Sequence, residues 1–445
     1  MSRRDFLARS GRAAGAGAVL GLAPTPFRRR LPPAAAAGPL FGWAEVRAQF
    51  DLDPTYLHFS AFRFASHPRP VRDAIERHRR GLDRNTQLYL EDREGPLNHA
   101  VLAGAAAYLG ATSVDIALTD STTMGLGILY GGIGVRSDQE IVATEHDFYP
   151  THEAIRERSQ RTGIPWRKIL LYDDIFTVTA AEIVQAVGDG VASNTRVLAV
   201  TWVHSSTGLK IPIRQIADAV AEINVGRDPA DQILLCVDGV HGVAADASNV
   251  GDLRCDFLAF GSHKWVFGPR GTGVLWGNPN RWPAALPTIP TFDGRSLSDW
   301  IQGRDPTDVP PAAMMTPGGF HSFEHRWALA DAFDFQMRIG RQRVADRVTE
   351  LATRLKQGLA TIPSVTLYTP MDAGLSAGIV CFDVAGYTAA EVVDALLNDY
   401  RIIASTTPYA ASYARLGPSI VNSPDEVDQA IAAVGALAKR RSRRR

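Results

Sequence analysis

Cysteine is scarce in this chain, with three residues in 445, at Cys236, Cys255 and Cys381. Thiols so few and so widely spaced exclude a disulfide framework, and their apolar surroundings predict buried, inert side chains. Net charge is missing as well, since 47 Lys and Arg balance 47 Asp and Glu. There is no basic folded face and no nucleic-acid-binding motif, so no nucleic-acid partner is expected. Nor is there an apolar run of the roughly 20 residues that span a bilayer, and no stable membrane anchor is expected either. What is present is an ordinary globular composition, 45% hydrophobic and 21% charged, on a chain long enough for one large domain and a smaller one.

The zero net charge conceals a partition. Residues 1–37 hold seven arginines and one aspartate, which leaves 40 basic and 46 acidic residues in the remainder. Within that first segment Arg3 and Arg4 precede Phe6 and Leu7, then the small apolar stretch Ala13–Ala23, and then a Pro- and Arg-containing region that ends in small residues near Ala36 and Ala37. This order reads as a twin-arginine signal peptide, and it predicts a periplasmic or secreted protein carried in folded form by the twin-arginine export machinery. At the other end, residues 439–445 carry six positive charges and read as a solvated basic tail.

Residues 38–70, with Tyr56–Ser60 followed by Pro68 and Pro70, read as an extended leading segment. Helical spacing over Val71–Asp83 and Pro96–Leu109 precedes an alternation of short apolar runs with amphipathic segments. The runs are Asp115–Thr119, Ile141–Thr144, Ile169–Tyr172, Val197–Val203, Gln232–Val237, Asp256–Gly261 and Gly273–Trp276. This alternation predicts an α/β fold over residues 71–340, a large doubly wound and mainly parallel sheet with helices on both faces. Pro283–Gly319 reads as loop, and a helical pattern runs from His325 to Ile339. Across 341–438 the order becomes helix, short strands at Val365–Leu367, Ile379–Val384, Arg401–Ala404 and Tyr413–Leu416, and a last helix from Pro424, which predicts a small α+β domain. No internal repeat is visible.

Two of the apolar runs end in residues that carry chemistry. Gln232–Val237 leads into Asp238, and Asp256–Gly261 leads into Ser262, His263 and Lys264. Ligands in open α/β sheets bind beyond the carboxyl ends of the strands, so Asp238 and Lys264 are expected to face one site. A lysine with a buried acid and hydroxyls nearby is what pyridoxal 5'-phosphate (PLP) requires: an amine for the Schiff base, a carboxylate to keep the pyridine nitrogen protonated, and donors for the phosphate. Two near-matches to nucleotide loops fail, because Gly125–Gly131 lacks the GxGxxG spacing and Gly268–Gly273 precedes a strand instead of a helix.

With these residues in view, segments from Tyr56 to Asp428 resemble the class V aminotransferase family of fold-type I PLP enzymes, and within it an isopenicillin N epimerase-like branch. The resemblance implies a role for each matching position. Lys264 would form the Schiff base and later move the α-proton, Asp238 would pair with the pyridine nitrogen, and His146 would stack on the pyridine ring. Thr122, Thr123, Ser262 and His263 would hold the phosphate, with Thr272 reaching it from a partner subunit, so that a homodimer is implied. Ser205 would donate to the cofactor's phenolic oxygen, and His241 would face that oxygen or the substrate. Arg415 would grip the carboxylate of a small-molecule amino-acid substrate through its planar, permanently charged guanidinium.

The departures from that family narrow the chemistry. Residues 405–412 form the loop on which the family's cysteine desulfurases carry a catalytic cysteine, and here it has none; Ser405 stands where those enzymes have a further arginine. Sulfur abstraction through a persulfide is therefore disfavoured. Gly318–His325 also differs from the family's usual segment and contains His321-x-x-Glu324-His325, the inverted zinc-metalloprotease pattern. Pro317, Gly318 and Gly319 immediately before it make His321 a poor ligand on a helix face, which weighs against that alternative. Three fates stay open for a carbanion at an amino acid's Cα, namely epimerisation, amino transfer and elimination as in a C–S lyase. A secreted binding protein that keeps the fold without turnover is a further alternative, which the intact Lys264 and Asp238 oppose.

Overall fold

The computed structural model describes residues 38–40 and 42–442. The export-signal reading of residues 1–37 lies outside the described residues, as do the last three residues of the basic tail. After a short strand β1 (Leu57–His58) the chain builds one large sheet from β2 (Ile116–Thr119), β3 (Glu140–Thr144), β4 (Trp166–Ile169), β5 (Thr195–Thr201), β6 (Leu234–Asp238), β7 (Phe257–Gly261) and β8 (Gly273–Gly277). Their spatial order is β2-β8-β7-β6-β5-β3-β4. Strand β8 runs antiparallel to both of its neighbours, and the remaining pairs are parallel.

Every residue of β2, β3 and β5 to β8 is buried. Side chains alternate between two cores, one on each face: Val200, Val237 and Phe260 enter one, whereas Ala199, Cys236 and Ala259 enter the other. Burial on both faces is why these strands read as continuous apolar runs instead of alternating patterns. The edge strand β4 is only partly buried. It lies three residues before the expected Ile169–Tyr172, because the apolar Leu171 and Tyr172 are buried beyond its end.

The helices Arg69–Arg84 and Thr86–Leu109 are longer than their spacing suggests, and the second continues through Pro96. Its early turns are anchored by Tyr89, whose hydroxyl lies 3.0 Å from His78 Nδ1 and whose ring packs on Trp327. These tertiary contacts outweigh the interior proline. Within the expected loop 283–319 the chain forms two short helices, Gly294–Ile301 and Pro311–Met314; the first starts where the Asp293 carboxylate accepts from the Arg295 and Ser296 N–H groups.

The smaller unit is an antiparallel sheet ordered β12-β13-β10-β9, from β9 (Val365–Leu367), β10 (Val380–Val384), β12 (Ser405–Thr406) and β13 (Ala414–Leu416). Helices Arg341–Ala360, Ala389–Tyr400 and Pro424–Ser442 accompany it. The expected strand Arg401–Ala404 shortens to β11 (Ile402–Ile403), which stands outside the small sheet and pairs in parallel with β1, so that Leu57 lies opposite Ile402. The leading segment is therefore bonded to the far end of the sequence. Among the described residues no helix is long and apolar enough to cross a membrane.

Candidate active site

Strands β3, β5, β6 and β7 end at Thr144, Thr201, Asp238 and Gly261, and the residues just beyond them converge. Asp147, which the sequence reading passed over, organises one side of this edge. Its carboxylate accepts the Thr144 and Thr201 N–H groups, each at 2.7 Å, and the residue is 2% exposed. The ends of β3 and β5 are thus tied together beside His146. Burial pushes the Asp147 pKa up, and the two backbone bonds oppose that rise. Asp147→Ala would leave both N–H groups without their acceptor, and a loss of about 2 to 4 kcal/mol in denaturant unfolding is expected.

Asp238, the last residue of β6, is buried and accepts the Val240 N–H at 3.0 Å. Lys264 follows β7, with Nζ 3.2 Å from His241 Nε2. Burial pushes Asp238 up to about 6, opposed by the Val240 bond and the Lys264 charge. Burial also pulls Lys264 down to about 8; Asp238 opposes that fall and Arg415 adds to it. At neutral pH roughly a tenth of this lysine is therefore the nucleophilic free amine, far more than an ordinary lysine offers.

The helix Thr122–Gly132 starts directly after β2, with Ser121 as its cap, accepting the Met124 N–H at 3.1 Å. Thr122 Oγ1 accepts the Gly261 N–H at 2.7 Å, which ties the helix start to the lysine loop. Thr123 is exposed in the first turn, and His263 lies close by. A Cβ at Gly261 would stand 3.0 Å from the His263 ring and 3.2 Å from Thr122 Oγ1, so a larger side chain would crowd the space these groups share.

Ser262 and Thr272 do not join this cradle. Ser262 is fully buried and Thr272 is 2% exposed, and their hydroxyls are taken up by each other and by the Pro269 carbonyl. The antiparallel pairing of Gly261 with Gly273 sets the two residues side by side beneath the lysine loop. Both hydroxyls are thus engaged within the chain.

His146 lies parallel to Tyr172 at 4.1 Å, with the His204 ring 5.4 Å away. Burial pulls its pKa to about 4, so it is neutral at physiological pH, and its Nε2 is buried without a hydrogen-bond partner. Ser205 Oγ is 2.7 Å from the hydroxyl of Tyr409, a residue absent from the sequence reading although it lies on the very loop noted there for lacking cysteine. Thr407 closes that loop by accepting the Tyr413 N–H at 2.9 Å and donating to the Ala411 carbonyl at 3.2 Å. Arg415, on β13, donates to the Ser205 carbonyl (2.9 Å), the Thr406 carbonyl (2.7 Å) and Ser405 Oγ (3.2 Å), with its guanidinium 5.0 Å above the Phe62 ring. Ser405 therefore orients the neighbouring arginine. Three of five guanidinium N–H groups are spent, and one on each terminal nitrogen is left for a carboxylate.

This donor set suits PLP. It combines a desolvated amine, a buried carboxylate, hydroxyls at a helix start, and a neutral imidazole with an unpaired nitrogen. Residues 99–428, most of the sequence, match the aminotransferase class-V family. The chain belongs to that family. As a class V protein it is a PLP-dependent enzyme, and Lys264, Asp238, His146, Thr122, Thr123 and His263 are the residues that could hold the cofactor.

This class V chain is 24% identical over 408 residues to isopenicillin N epimerase of Streptomyces clavuligerus, a match that spans 89% of this chain and 98% of that one. It is also 24% identical over 349 residues to cysteine desulfurase of Pectobacterium carotovorum subsp. carotovorum, spanning 75% and 80% of the two. Among solved structures, a mutant of C-DES with glycine covalently linked to its PLP cofactor is similar with TM-score 0.79 and 19% identity, covering 87% of this chain and 98% of that one. The cystine C–S lyase C-DES in complex with cysteine persulfide gives 0.76 and 20%, covering 86% and 97%. These similarities establish the shared α/β, fold-type I architecture.

The zinc alternative fails on geometry. The helix that would present the inverted motif starts at Phe323, so His321 lies outside it. His321 Nδ1 is bonded to the Gly319 carbonyl and His325 Nδ1 to that of Arg270. Among the described residues no group of three or more His, Cys, Asp or Glu is placed to hold a metal. All three cysteines are buried, and burial pushes the Cys381 thiol up to about 12 and Cys236 well above its ordinary value.

Proposed function

We propose that this class V enzyme acts at the α-carbon of an amino acid or amino-acid-containing compound, as an epimerase-like enzyme or an aminotransferase. The observation that carries the proposal is the meeting of Lys264, whose pKa burial draws down to about 8, with Asp238 at the strand ends and Arg415 from β13. When bound, PLP supplies the electron sink that makes a Cα–H bond acidic. Lys264 would take and return that proton, Asp238 would keep the pyridine nitrogen protonated, and Arg415 would fix the substrate carboxylate. Similarity to isopenicillin N epimerase over nearly its whole length supports work on Cα stereochemistry. No β-lactam substrate is implied.

Elimination by a C–S lyase is the second reading. It is favoured by the burial of all three cysteines and by Tyr409 on the loop 405–412, because elimination needs no enzyme thiol whereas persulfide transfer does. Proton NMR of an amino-acid pool in deuterated water, with and without a keto acid, separates these fates. Deuterium at Cα without keto acid supports epimerisation. Conversion only with keto acid supports amino transfer, and release of pyruvate, ammonia and cysteine persulfide from cystine supports elimination. A pool unchanged in all conditions counts against catalysis at Cα of those compounds.

The depressed Lys264 pKa gives a pH dependence with a definite sign. Only the uncharged amine attacks an aldehyde, so the rate of PLP capture by cofactor-free protein is expected to rise with pH and reach half its maximum near the lysine's folded-state value of about 8. A half-point near 10.5 would show an ordinary exposed lysine. Export by the twin-arginine route and assembly as a homodimer belong to the same proposal. Cell fractionation after Arg3 and Arg4 are both changed to Lys tests the first, and light scattering of the purified protein tests the second.

A further inference from the structure

We propose that Trp265 is a positioning residue that fixes the tautomer of His241 and so holds Lys264 as an uncharged amine, an inference that rests on Lys264 being the cofactor-binding lysine. The indole N–H of Trp265 donates to His241 Nδ1 at 3.3 Å, and His241 Nε2 lies 3.2 Å from Lys264 Nζ. An indole nitrogen can only donate, so His241 Nδ1 must supply a lone pair. An imidazolium, with protons on both nitrogens, would set two donors against each other. His241 is therefore neutral with its proton on Nε2, and that N–H faces Lys264. The lysine can accept it only as a free amine, because an ammonium has no lone pair. Three side chains thus form a one-way donor chain from Trp265 through His241 to Lys264.

The seat of the indole is built into the fold. Trp265 is 2% exposed, and Gln336 Nε2 donates to its carbonyl at 3.0 Å. Phe62 lies across the ring, 6.5 Å away and inclined by 28°. A Cβ at Gly378 would stand 2.2 Å from the indole, so a residue without a side chain is required there. The charged and titratable groups that face the His241–Lys264 pair are Asp238 from β6, His263 from the lysine's own loop, and Arg415 from β13. Asp238 favours the ammonium and Arg415 opposes it. None of the three can reverse the polarity of a bond whose donor is an indole.

The test compares the unsubstituted protein with Trp265→Phe, which keeps an aromatic ring and removes the donor. In protein labelled with 15N-histidine, with the His241 signal assigned by its loss in His241→Gln, the unsubstituted protein is expected to show the Nε2–H tautomer at about pH 9, above the half-point of PLP capture, where Lys264 is the free amine. Trp265→Phe is expected to populate the Nδ1–H form, which offers its Nε2 lone pair to an ammonium. The pH at which PLP capture is half-maximal should then rise by roughly one unit. An Nδ1–H or doubly protonated His241 in the unsubstituted protein overturns the proposal, and so does an unchanged half-point in folded Trp265→Phe. If that variant does not fold, the tautomer in the unsubstituted protein decides alone. Failure of the unsubstituted protein to capture PLP at any pH would count against the cofactor-binding lysine itself, and is distinguished by leaving the tautomer measurement intact.

Discussion

Lys264→Ala is expected to lack the visible band that borohydride abolishes in the unsubstituted protein, and its turnover at Cα should fall on the order of a thousand-fold or more, since the nucleophile and the proton carrier are lost together. Loss of folding cannot account for such a result. With a folded-state pKa near 8 against 10.5, the ammonium is disfavoured by the native state. The lysine therefore costs stability below about pH 8, and that cost fades as pH rises towards 10.5. Cofactor-free Lys264→Ala should accordingly unfold at higher denaturant than the unsubstituted protein at pH 7, by on the order of 2 to 3 kcal/mol, with the gap closing through that window. Normal turnover in the variant would remove Lys264 from the mechanism. A variant less stable at pH 7 would contradict its desolvation.

Arg415→Ala should weaken carboxylate substrates by on the order of 2 to 4 kcal/mol, read as a rise in KM of roughly thirty- to a thousand-fold. Amines that lack the carboxylate should be processed equally by both proteins, which separates lost recognition from general damage to the site. Arg415→Lys is expected to recover little. A single ammonium on a flexible stem cannot serve the Ser205 and Thr406 carbonyls and Ser405 Oγ while also offering two parallel N–H groups. An unchanged KM in Arg415→Ala would take this residue out of the site.

The parts of the site legible in the sequence are those that end a buried parallel strand. Asp238 and Lys264 each close an apolar run, and burial on both sheet faces makes such runs continuous and their polar ends conspicuous. Residues whose partners are remote in the chain left no such signal. Tyr409 meets Ser205 across 204 positions, and the carboxylate of Asp147 acts on backbone groups of two strands. Trp265 lies in an apolar stretch that reads as core, and its polar contact depends on which way the indole turns. The family resemblance assigns Ser262 and Thr272 to the phosphate. The antiparallel return through β8 turned them inward, and nothing in the local composition distinguishes those directions. The pairing of Ile402–Ile403 outside the small sheet was equally hidden, because it is set by residues near the opposite end.

That pairing bears on how the molecule is made. Leu57 meets Ile402 and His58 meets Ile403, so the first strand of the described structure has no partner until residues 402 and 403 have left the ribosome. The pairing is made by closing a loop of more than three hundred residues, whose entropic cost grows only slowly with length. Until then the N-terminal strand has an unpaired edge, at risk of aggregation or of capture by chaperones. The same contact makes β1 a late reporter of maturation: protection of the Leu57 and Phe59 amides, which donate to the Arg401 and Ile403 carbonyls, should arise after protection of the central strands in a pulse-labelled refolding experiment.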